Sequence, residues 1–330
     1  MKIKDIEIKE IAILGPMAGI STKAYRCFMK PFGIGLSFTE MVSDCGIDYN
    51  NKRTYEYCIT DPNEHPIGLQ IFGSSIEKST EAIKILESKF DYDILDVNLG
   101  CPVHKVIKTG AGSAWLKDID GLKEYMSAIV KTSTKPVSAK IRLGWDSNSI
   151  NVFEVAKILE EAGVSLLSVH CRTREQGYGG KANYEAIKGL KESISIPLIV
   201  SGDIFTLDDA IRAKEITKAD GIMIARGGVG NPYLATQINT YFESKGEIRL
   251  PNPSLEDQIV YAKKFSKMLI EEKGEYIGIR ELRGILPHFF KGFKGYKKYR
   301  QMFAMEMKSI EDMKNLFNLI EEETKRKDLL

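Results

Sequence analysis

Eight short apolar runs, separated by helix-length amphipathic segments, constrain the fold of this chain more than any other feature. They are rich in Val, Ile and Leu, and most end in Gly, Asn, Ser or a charged residue. Such runs, when helices connect them, are typical of buried parallel strands with crossover connections. The runs cover residues 11–14, 36–39, 67–72, 94–98, 137–143, 166–170, 198–201 and 221–225.

Eight strand–helix units match the repeat number of a TIM barrel, so the predicted fold class is α/β, a (β/α)₈ barrel. A doubly wound open sheet is the alternative, but no GxGxxG segment follows the first run. Pro251 and Pro253 mark a break, after which the pattern is helical and strand runs are absent. We therefore predict a catalytic barrel over residues 1–245 and a small C-terminal helical domain over residues 246–330. Ser254, with Asp257 three residues later, predicts a helix start.

The composition is that of an ordinary globular protein. The chain is 43% hydrophobic and 28% charged with a net charge of +2, so any binding to nucleic acid must depend on local basic patches. No apolar run is long enough to cross a bilayer and no apolar signal core follows Met1, which predicts a cytoplasmic protein. The five cysteines form no CxxC pair, which argues against a disulfide framework and against a metal site.

Polar residues cluster where the predicted strands end. In a TIM barrel the reactive residues lie at the C-terminal ends of the strands, so these residues form one candidate site. Gly202 and Gly227 follow the last two strands, where glycine allows close approach of a phosphate, and Arg226 would add a charge. Turn glycines without a ligand are the alternative. The candidates are Pro16, Met17, Ala18, Glu40, Gln70, Asn98, Cys101, Lys140, Arg142, His170, Arg172, Ser201, Gly202, Asp203, Arg226 and Gly227.

Lys140 and Cys101 are the candidates for chemistry. Lys140 would stabilise an anionic reduced cofactor or form a Schiff base, unless it faces outward; strand alternation does not decide the side. A cysteine thiol is mostly protonated at neutral pH, so Cys101 is a candidate general acid. Lys105 and Lys108 nearby would favour the thiolate and oppose that role. Gln70, in an apolar strand, needs polar partners, which a heteroaromatic ligand would supply.

The strand-end segments resemble the tRNA-dihydrouridine synthase family, closest to its bacterial type, over nearly the whole chain. The run Asn98-Leu99-Gly100-Cys101-Pro102, with Lys105, Gly110 and Gly112 behind it, is the most specific of them. The matching segments are GPMAG (15–19), TEMVS (39–43), QIFGS (70–74), DVNLGCP (96–102), KIRLG (140–144), HCRTR (170–174), SGDI (201–204) and ARG (225–227).

The resemblance implies an FMN-binding barrel that reduces uridine in tRNA to dihydrouridine, with NADPH as the reductant and a monomer as the working form. Cys101 would donate the proton, and Asn98 would help to hold the base. Two positions depart from the family pattern: Ser201 stands where Asn is frequent, and Gly15 where Ala is usual. The residues implied to hold FMN are Pro16, Met17, Ala18, Gln70, Lys140, His170, Ser201, Gly202, Asp203, Ala225, Arg226 and Gly227.

A basic and aromatic segment, RGILPHFFKGFKGYKKYR over residues 283–300, is the candidate RNA-binding surface. Basic side chains suit phosphates and aromatic rings can stack on bases, although an amphipathic helix with a buried aromatic face gives the same pattern. We expect the aromatic rings to be mostly core and the cations to contact tRNA. The acidic run at residues 321–323 is interpreted as a solvated face. The predicted RNA contacts are Lys291, Lys294, Lys297 and Lys298, with Arg142, Arg172 and Arg174 at the barrel mouth.

Three other functions fit parts of the sequence. An FMN barrel acting on a small pyrimidine-like molecule would not need the basic tail. A lyase that forms a Schiff base on Lys140 would need no flavin. A non-catalytic RNA chaperone would not depend on Cys101.

Overall fold

The eight predicted runs are all strands of one closed parallel sheet in the computed structural model, which describes residues 1–49 and 51–327. The sheet closes where Ser37 pairs with Ile67 and Phe38 with Gly68, which excludes the open doubly wound sheet and confirms the TIM barrel. The strands are β1 (Lys2–Ile3), β2 (Ile6–Glu7), β3 (Ala12–Leu14), β4 (Leu36–Phe38), β5 (Val42–Ser43), β6 (Ile67–Phe72), β7 (Ile94–Asn98), β8 (Val137–Arg142), β9 (Leu166–His170), β10 (Leu198–Ser201) and β11 (Gly221–Ile224).

Three short strands were not predicted. β1 and β2 form an antiparallel hairpin at the N-terminus, and β5 extends the pairing of β6 beyond the barrel. Ile3 of the hairpin and Ile8, which follows the hairpin, join one buried cluster with side chains inside the N-terminal end of the barrel. That cluster also contains Ile13, Leu36, Phe38, Ile94, Leu166, Ile199 and Met223. The N-terminal end of the barrel is therefore filled with apolar side chains.

The barrel interior changes from apolar to polar along the strands. Side chains in a strand alternate between its two faces, so the inward set on β8 is Ser138, Lys140 and Arg142, while Ala139 and Ile141 pack outward against the helices. The question of which way Lys140 points is thus answered: it faces inward. The lower layer is apolar and the upper layer, at the C-terminal strand ends, is polar.

Helices surround the barrel and form the C-terminal region. Where the sequence predicted a helix start, Ser254 and Asp257 form a capping box, each side chain accepting the other's backbone N–H. Gly274, at φ +75°, interrupts the long helix α11. The helices are α1 (Lys23–Met29), α2 (Asp44–Asp48), α3 (Lys52–Tyr57), α4 (Ile76–Lys89), α5 (His104–Ile107), α6 (Ile119–Thr132), α7 (Val152–Glu161), α8 (Leu190–Ser193), α9 (Leu207–Thr217), α10 (Tyr233–Glu243), α11 (Leu255–Ile285), α12 (Tyr296–Met305) and α13 (Ile310–Lys327).

Aromatic packing joins the C-terminal helices to the barrel. The ring of Phe265 on α11 lies 5.3 Å from Phe28 and 5.8 Å from Tyr25 of α1, and 6.3 Å from Phe289. Edge-to-face and offset rings of this kind add to the stabilisation that comes from burial alone. The C-terminal helices are therefore held against the first helix of the barrel.

The acidic run near the C-terminus does more than face solvent. Glu321 accepts a hydrogen bond from Lys263 of α11 at 2.6 Å, and Glu323 forms an ion pair with Lys298 of α12. The interpretation of residues 321–323 as a solvated face is incomplete, because Glu322 is exposed but Glu321 and Glu323 also pair with lysines of neighbouring helices. Among the described residues, no helix is both long and apolar enough to span a membrane.

Candidate active site

A cavity of about 280 Å³ opens at the C-terminal ends of the strands. It brings together residues from segments far apart in the sequence, because in a closed parallel barrel all strand ends meet at one rim. Arg172 and Arg174 are not among the residues that line it. The predicted residues that do line it are Pro16, Met17, Ala18, Gln70, Asn98, Cys101, Lys140, Arg142, His170, Ser201, Gly202, Asp203, Ala225, Arg226 and Gly227.

Cys101 lies on the loop after β7, with 8% of its surface exposed. Burial raises the pKa of the thiol, and the Val103 N–H, Arg142 and Lys140 oppose that effect. The thiol therefore keeps its proton at neutral pH, which suits a general acid. Lys105 and Lys108 are exposed and are not among the groups that shift the pKa of the thiol, so the expectation that they favour the thiolate is not supported.

Gly112 packs closely against this cysteine. Gly112, at φ +61°, starts a short 3₁₀ helix over Gly112–Lys117. A Cβ on Gly112 would lie 3.0 Å from the carbonyl oxygen of Cys101 and 3.2 Å from its Cβ. Of the two glycines that follow Cys101 in the sequence motif, Gly112 is therefore required by packing against Cys101.

A chain of buried polar groups runs from the barrel interior to the Cys101 loop. Asp96 accepts a hydrogen bond from Ser138 Oγ at 2.5 Å and another from Gln70 Nε2 at 2.6 Å. Gln70 Oε1 accepts from Asn98 Nδ2 at 2.8 Å. Asn98 Oδ1 then accepts from the backbone N–H of Gly100 at 3.1 Å and of Cys101 at 2.8 Å.

This chain changes two expectations. The amide of Gln70 has its partners in Asp96 and Asn98, so a ligand is not required to satisfy it. Asn98 anchors the cysteine loop as well as lining the cavity. Asp96 was overlooked in the sequence, since it lies inside an apolar run; a charged residue in such a run was the available signal.

Cations dominate the electrostatics of the cavity. Burial, then the charge of Arg142, lowers the pKa of Lys140 to about 8, while Asp96 acts in the opposite direction. Burial together with Lys140, Arg142, Arg172 and Arg226 holds the pKa of His170 far below its usual range, so its ring is neutral. Among residues 1–49 and 51–327, no group forms a hydrogen bond with the Lys140 ammonium. The cavity is therefore suited to an anionic ligand.

Two arginines at the rim are occupied in holding loops. Arg142 donates to the carbonyl oxygens of Gly100, Thr173 and Gly177, at 2.7, 2.9 and 2.7 Å. Arg172, only 1% exposed, donates to the carbonyl oxygens of Gly179 and Gly180 and to both carboxylate oxygens of Asp203. Their guanidinium groups are thus not free for phosphates, in contrast to the expectation of RNA contacts from the sequence. The cause is long-range pairing, since Asp203 lies 31 residues from Arg172.

One corner of the cavity has backbone N–H groups and a guanidinium that could bind an anion. Asp203 has φ +51°, uncommon for a residue other than glycine, and this conformation places it beside Arg172 and 3.5 Å from Arg226. Burial would raise the pKa of Asp203, but hydrogen bonds from Arg172 and the Ala182 N–H hold it below its usual range. In the described part of the chain, no acceptor reaches the N–H groups of Gly202 and Asp203. These groups and Arg226 are suitable donors for an anion.

Aromatic rings and cations surround the cavity mouth. Tyr178 is 58% exposed and lies on the loop whose carbonyl oxygens accept hydrogen bonds from Arg142 and Arg172. The guanidinium carbons of Arg142 and Arg226 lie 5.5 and 5.1 Å from the centre of its ring. Arg174 and Lys117 lie 4.4 and 4.6 Å from the ring of Trp145. Tyr178 was not predicted from the sequence, because a single tyrosine among glycines carries no periodic signal.

The basic C-terminal segment separates into two faces. Lys291, Lys294, Lys297 and Lys298 are exposed, while Phe289, Phe290 and Tyr299 are buried. The aromatic rings thus belong mainly to the core, as expected. Lys298 is partly neutralised by Glu323.

Comparison with known proteins reveals extended similarity. A family model described as dihydrouridine synthase matches residues 13–326. The chain is 35% identical over 280 residues to a probable tRNA-dihydrouridine synthase of Rickettsia bellii, covering 84% of this chain and 85% of the relative. It is 32% identical over 320 residues to probable tRNA-dihydrouridine synthase 1 of Synechocystis sp., covering 96% and 88%. An old yellow enzyme homologue from Zymomonas mobilis superposes with a TM-score of 0.50 at 12% identity, over 78% of this chain and 94% of that one, which shows a shared fold.

Proposed function

We propose a function from one premise: this chain belongs to the dihydrouridine synthase family and is an oxidoreductase. The proposed reaction is reduction of specific uridines in tRNA to 5,6-dihydrouridine, with FMN as the cofactor and NADPH as the reductant of FMN. We further propose that the protein acts as a monomer in the cytoplasm.

The cavity residues fit the demands of FMN. Lys140 offers an ammonium that lacks a hydrogen-bond partner in the described chain, and neutral His170 offers ring nitrogens beside it. Gly202, Asp203 and Arg226 would hold the phosphate through backbone N–H groups and one guanidinium. Residues 16–18, Gln70, Ser201, Ala225 and Gly227 would line the rest of the flavin. When bound, reduced FMN supplies the hydride that C6 of the uracil ring receives.

Cys101 would donate the proton that C5 receives. Hydride and proton together saturate the C5–C6 bond, and the sulfur is left as a thiolate. The Val103 N–H, Arg142 and Lys140 stabilise that thiolate until solvent returns the proton. Asn98 would fix the loop that carries the sulfur and present its edge to the base.

A tRNA substrate needs cations beyond the cavity. The exposed side chains of Lys291 and Lys294, in the turns before α12, and of Lys297, on α12, provide them, and Arg174 provides one at the rim. The target base would leave its stack to reach Cys101, as in other enzymes that modify a nucleobase.

The observation that carries this proposal is a buried thiol that lines a cationic cavity at the C-terminal end of the barrel, where burial raises its pKa. The test uses full-length protein, NADPH and three substrates in parallel: unmodified tRNA transcript, free uridine and free uracil. We expect a yellow protein that forms dihydrouridine in the transcript, detected by mass spectrometry.

Cys101→Ala is the matched variant. It should keep bound flavin and its reduction by NADPH but form no dihydrouridine, since the proton donor is removed. Turnover of uracil without turnover of tRNA would favour the small-molecule alternative instead. A colourless Cys101→Ala protein would refute the separate roles of flavin binding and proton donation.

A further inference from the structure

The polar chain from Asp96 to Cys101 has a fixed direction. At one end the backbone N–H groups of Gly100 and Cys101 are donors only, so Asn98 must present its oxygen to them. Asn98 then presents its NH₂ to Gln70, and Gln70 presents its own NH₂ to Asp96. An ionised carboxylate accepts only, so Asp96 is a suitable terminus.

Asp96 does not line the cavity and is 1% exposed, so its role cannot be contact with a ligand. A buried carboxylate needs compensation, which here comes from Ser138, Gln70 and the charge of Lys140. The two side chains that donate to Asp96 are Gln70, which belongs to the polar chain, and Ser138, which is buried on the neighbouring strand β8. The anchoring effect of Asp96 is therefore transmitted toward the cysteine loop.

We propose that Asp96 is a positioning residue for Cys101, acting through the side-chain amides of Gln70 and Asn98. Asp96 fixes the amide of Gln70, Gln70 fixes Asn98, and Asn98 holds the two backbone N–H groups that set the position of the thiol. The inference rests on the proposed function only in that Cys101 is taken to be the proton donor. The positioning of its thiol depends on residues of this chain alone.

Three variants test the direction of the chain. Asn98→Asp places a carboxylate oxygen opposite Gln70 Oε1, so two acceptors face each other. If the Gln70 amide flips to donate to position 98, its oxygen then faces the Asp96 carboxylate, which is again two acceptors. Asp96→Asn alone keeps the order, because the new amide can accept from Gln70 and donate to Ser138. In the double variant Asp96→Asn/Asn98→Asp, Gln70 can turn round and every group is again paired. The single and double variants share the carboxylate at position 98 and differ at position 96 in both charge and hydrogen-bond order. Asp96→Asn alone, which removes the same charge but keeps the order, is the charge control.

The measurements use flavin-loaded full-length protein. Stopped-flow absorbance follows flavin reduction by NADPH and, separately, flavin reoxidation by tRNA transcript; peptide mass spectrometry follows alkylation of Cys101 by iodoacetamide. Loss of the hydrogen bond between position 98 and Gln70 should slow reoxidation by about tenfold or more in Asn98→Asp. Adding Asp96→Asn should restore reoxidation by about fivefold or more and return Cys101 alkylation toward the wild-type rate.

Asp96→Leu is the direct test of anchoring: if it folds, Cys101 should become more reactive toward iodoacetamide than in Asp96→Asn. Equal alkylation of Cys101 in Asn98→Asp and in the double variant, with no recovery of reoxidation, would overturn the proposal whether or not Asp96→Leu folds. A wild-type protein that reduces no uridine would refute the proposed function, yet the alkylation rates would still decide the positioning.

Discussion

Gly112→Ala offers the sharpest test of how the Cys101 loop is held. Gly112 has φ +61°, and an added Cβ would meet the Cys101 carbonyl oxygen and Val106 Cγ1 at 3.0 Å, and Cys101 Cβ at 3.2 Å. Gly110→Ala is a matched control, since it has φ +82° but would meet only Ser74, at 3.2 Å. Both variants impose a left-handed conformation on alanine, but only in Gly112→Ala does the added Cβ contact Cys101.

The magnitudes follow from these contacts. The left-handed conformation costs an L-residue about 1–2 kcal/mol, partly offset by the lower entropy of the unfolded alanine chain, so each variant should lose about 1 kcal/mol in free energy of unfolding. Relief of the contacts at 3.0 Å requires Cys101 to move by a few tenths of an ångström. Because a misplacement of about 1 Å can cost about 100-fold in rate, such a movement should slow uridine reduction by roughly tenfold.

The assay pairs urea unfolding with single-turnover reduction of tRNA. We expect similar stability for Gly112→Ala and Gly110→Ala, and slow uridine reduction in Gly112→Ala alone. If Gly110→Ala loses as much rate as Gly112→Ala, backbone strain rather than contact with Cys101 limits the reaction, and the packing argument is refuted.

Three further predictions test other parts of the molecule. Lys294→Ala/Lys297→Ala should reduce the slope of log binding constant against log salt concentration for tRNA by about 2, whereas Lys131→Ala/Lys157→Ala, on the outer helices, should leave that slope unchanged. The pKa of Lys140 of about 8 means that the ammonium loses its proton above that pH, so FMN affinity should fall by up to about tenfold per pH unit above 8, and Lys140→Met should flatten this profile in a fluorescence titration. Phe265→Ala should lower the free energy of unfolding by about 3–5 kcal/mol, against less than about 0.5 kcal/mol for the exposed Val260→Ala on the same helix; equal losses would contradict the aromatic docking of α11.

The barrel could be predicted from the sequence because its strands are buried on both faces. Residues 67–72, 94–98, 166–170 and 198–201 match the observed strands at both ends, since continuous apolar runs mark parallel strands clearly. The hairpin of β1 and β2 was not predictable, because strands of two residues show no period.

The residues of the site could be predicted from the sequence, but the direction in which each side chain points and its bonding partners could not. Lys140 could not be assigned to a face by alternation alone, because Arg142 shares its face and two inward cations looked unfavourable. The structure resolves this by directing Arg142 to three loop carbonyls. Arg172 was misjudged for the same physical reason: its partner Asp203 is distant in sequence, and a charged residue at a strand end looks free until its partner is known.

The apolar plug that Ile3 and Ile8 form has a kinetic consequence. Because apolar side chains fill the N-terminal end of the barrel, the cavity opens at its C-terminal end. On the proposed function, NADPH and tRNA would therefore have to enter the cavity one after the other through the same opening. Double-reciprocal plots of initial rate against tRNA concentration, at several fixed NADPH concentrations, should then be parallel lines. An excess of either reactant should inhibit the reaction by competing with the other for the cavity.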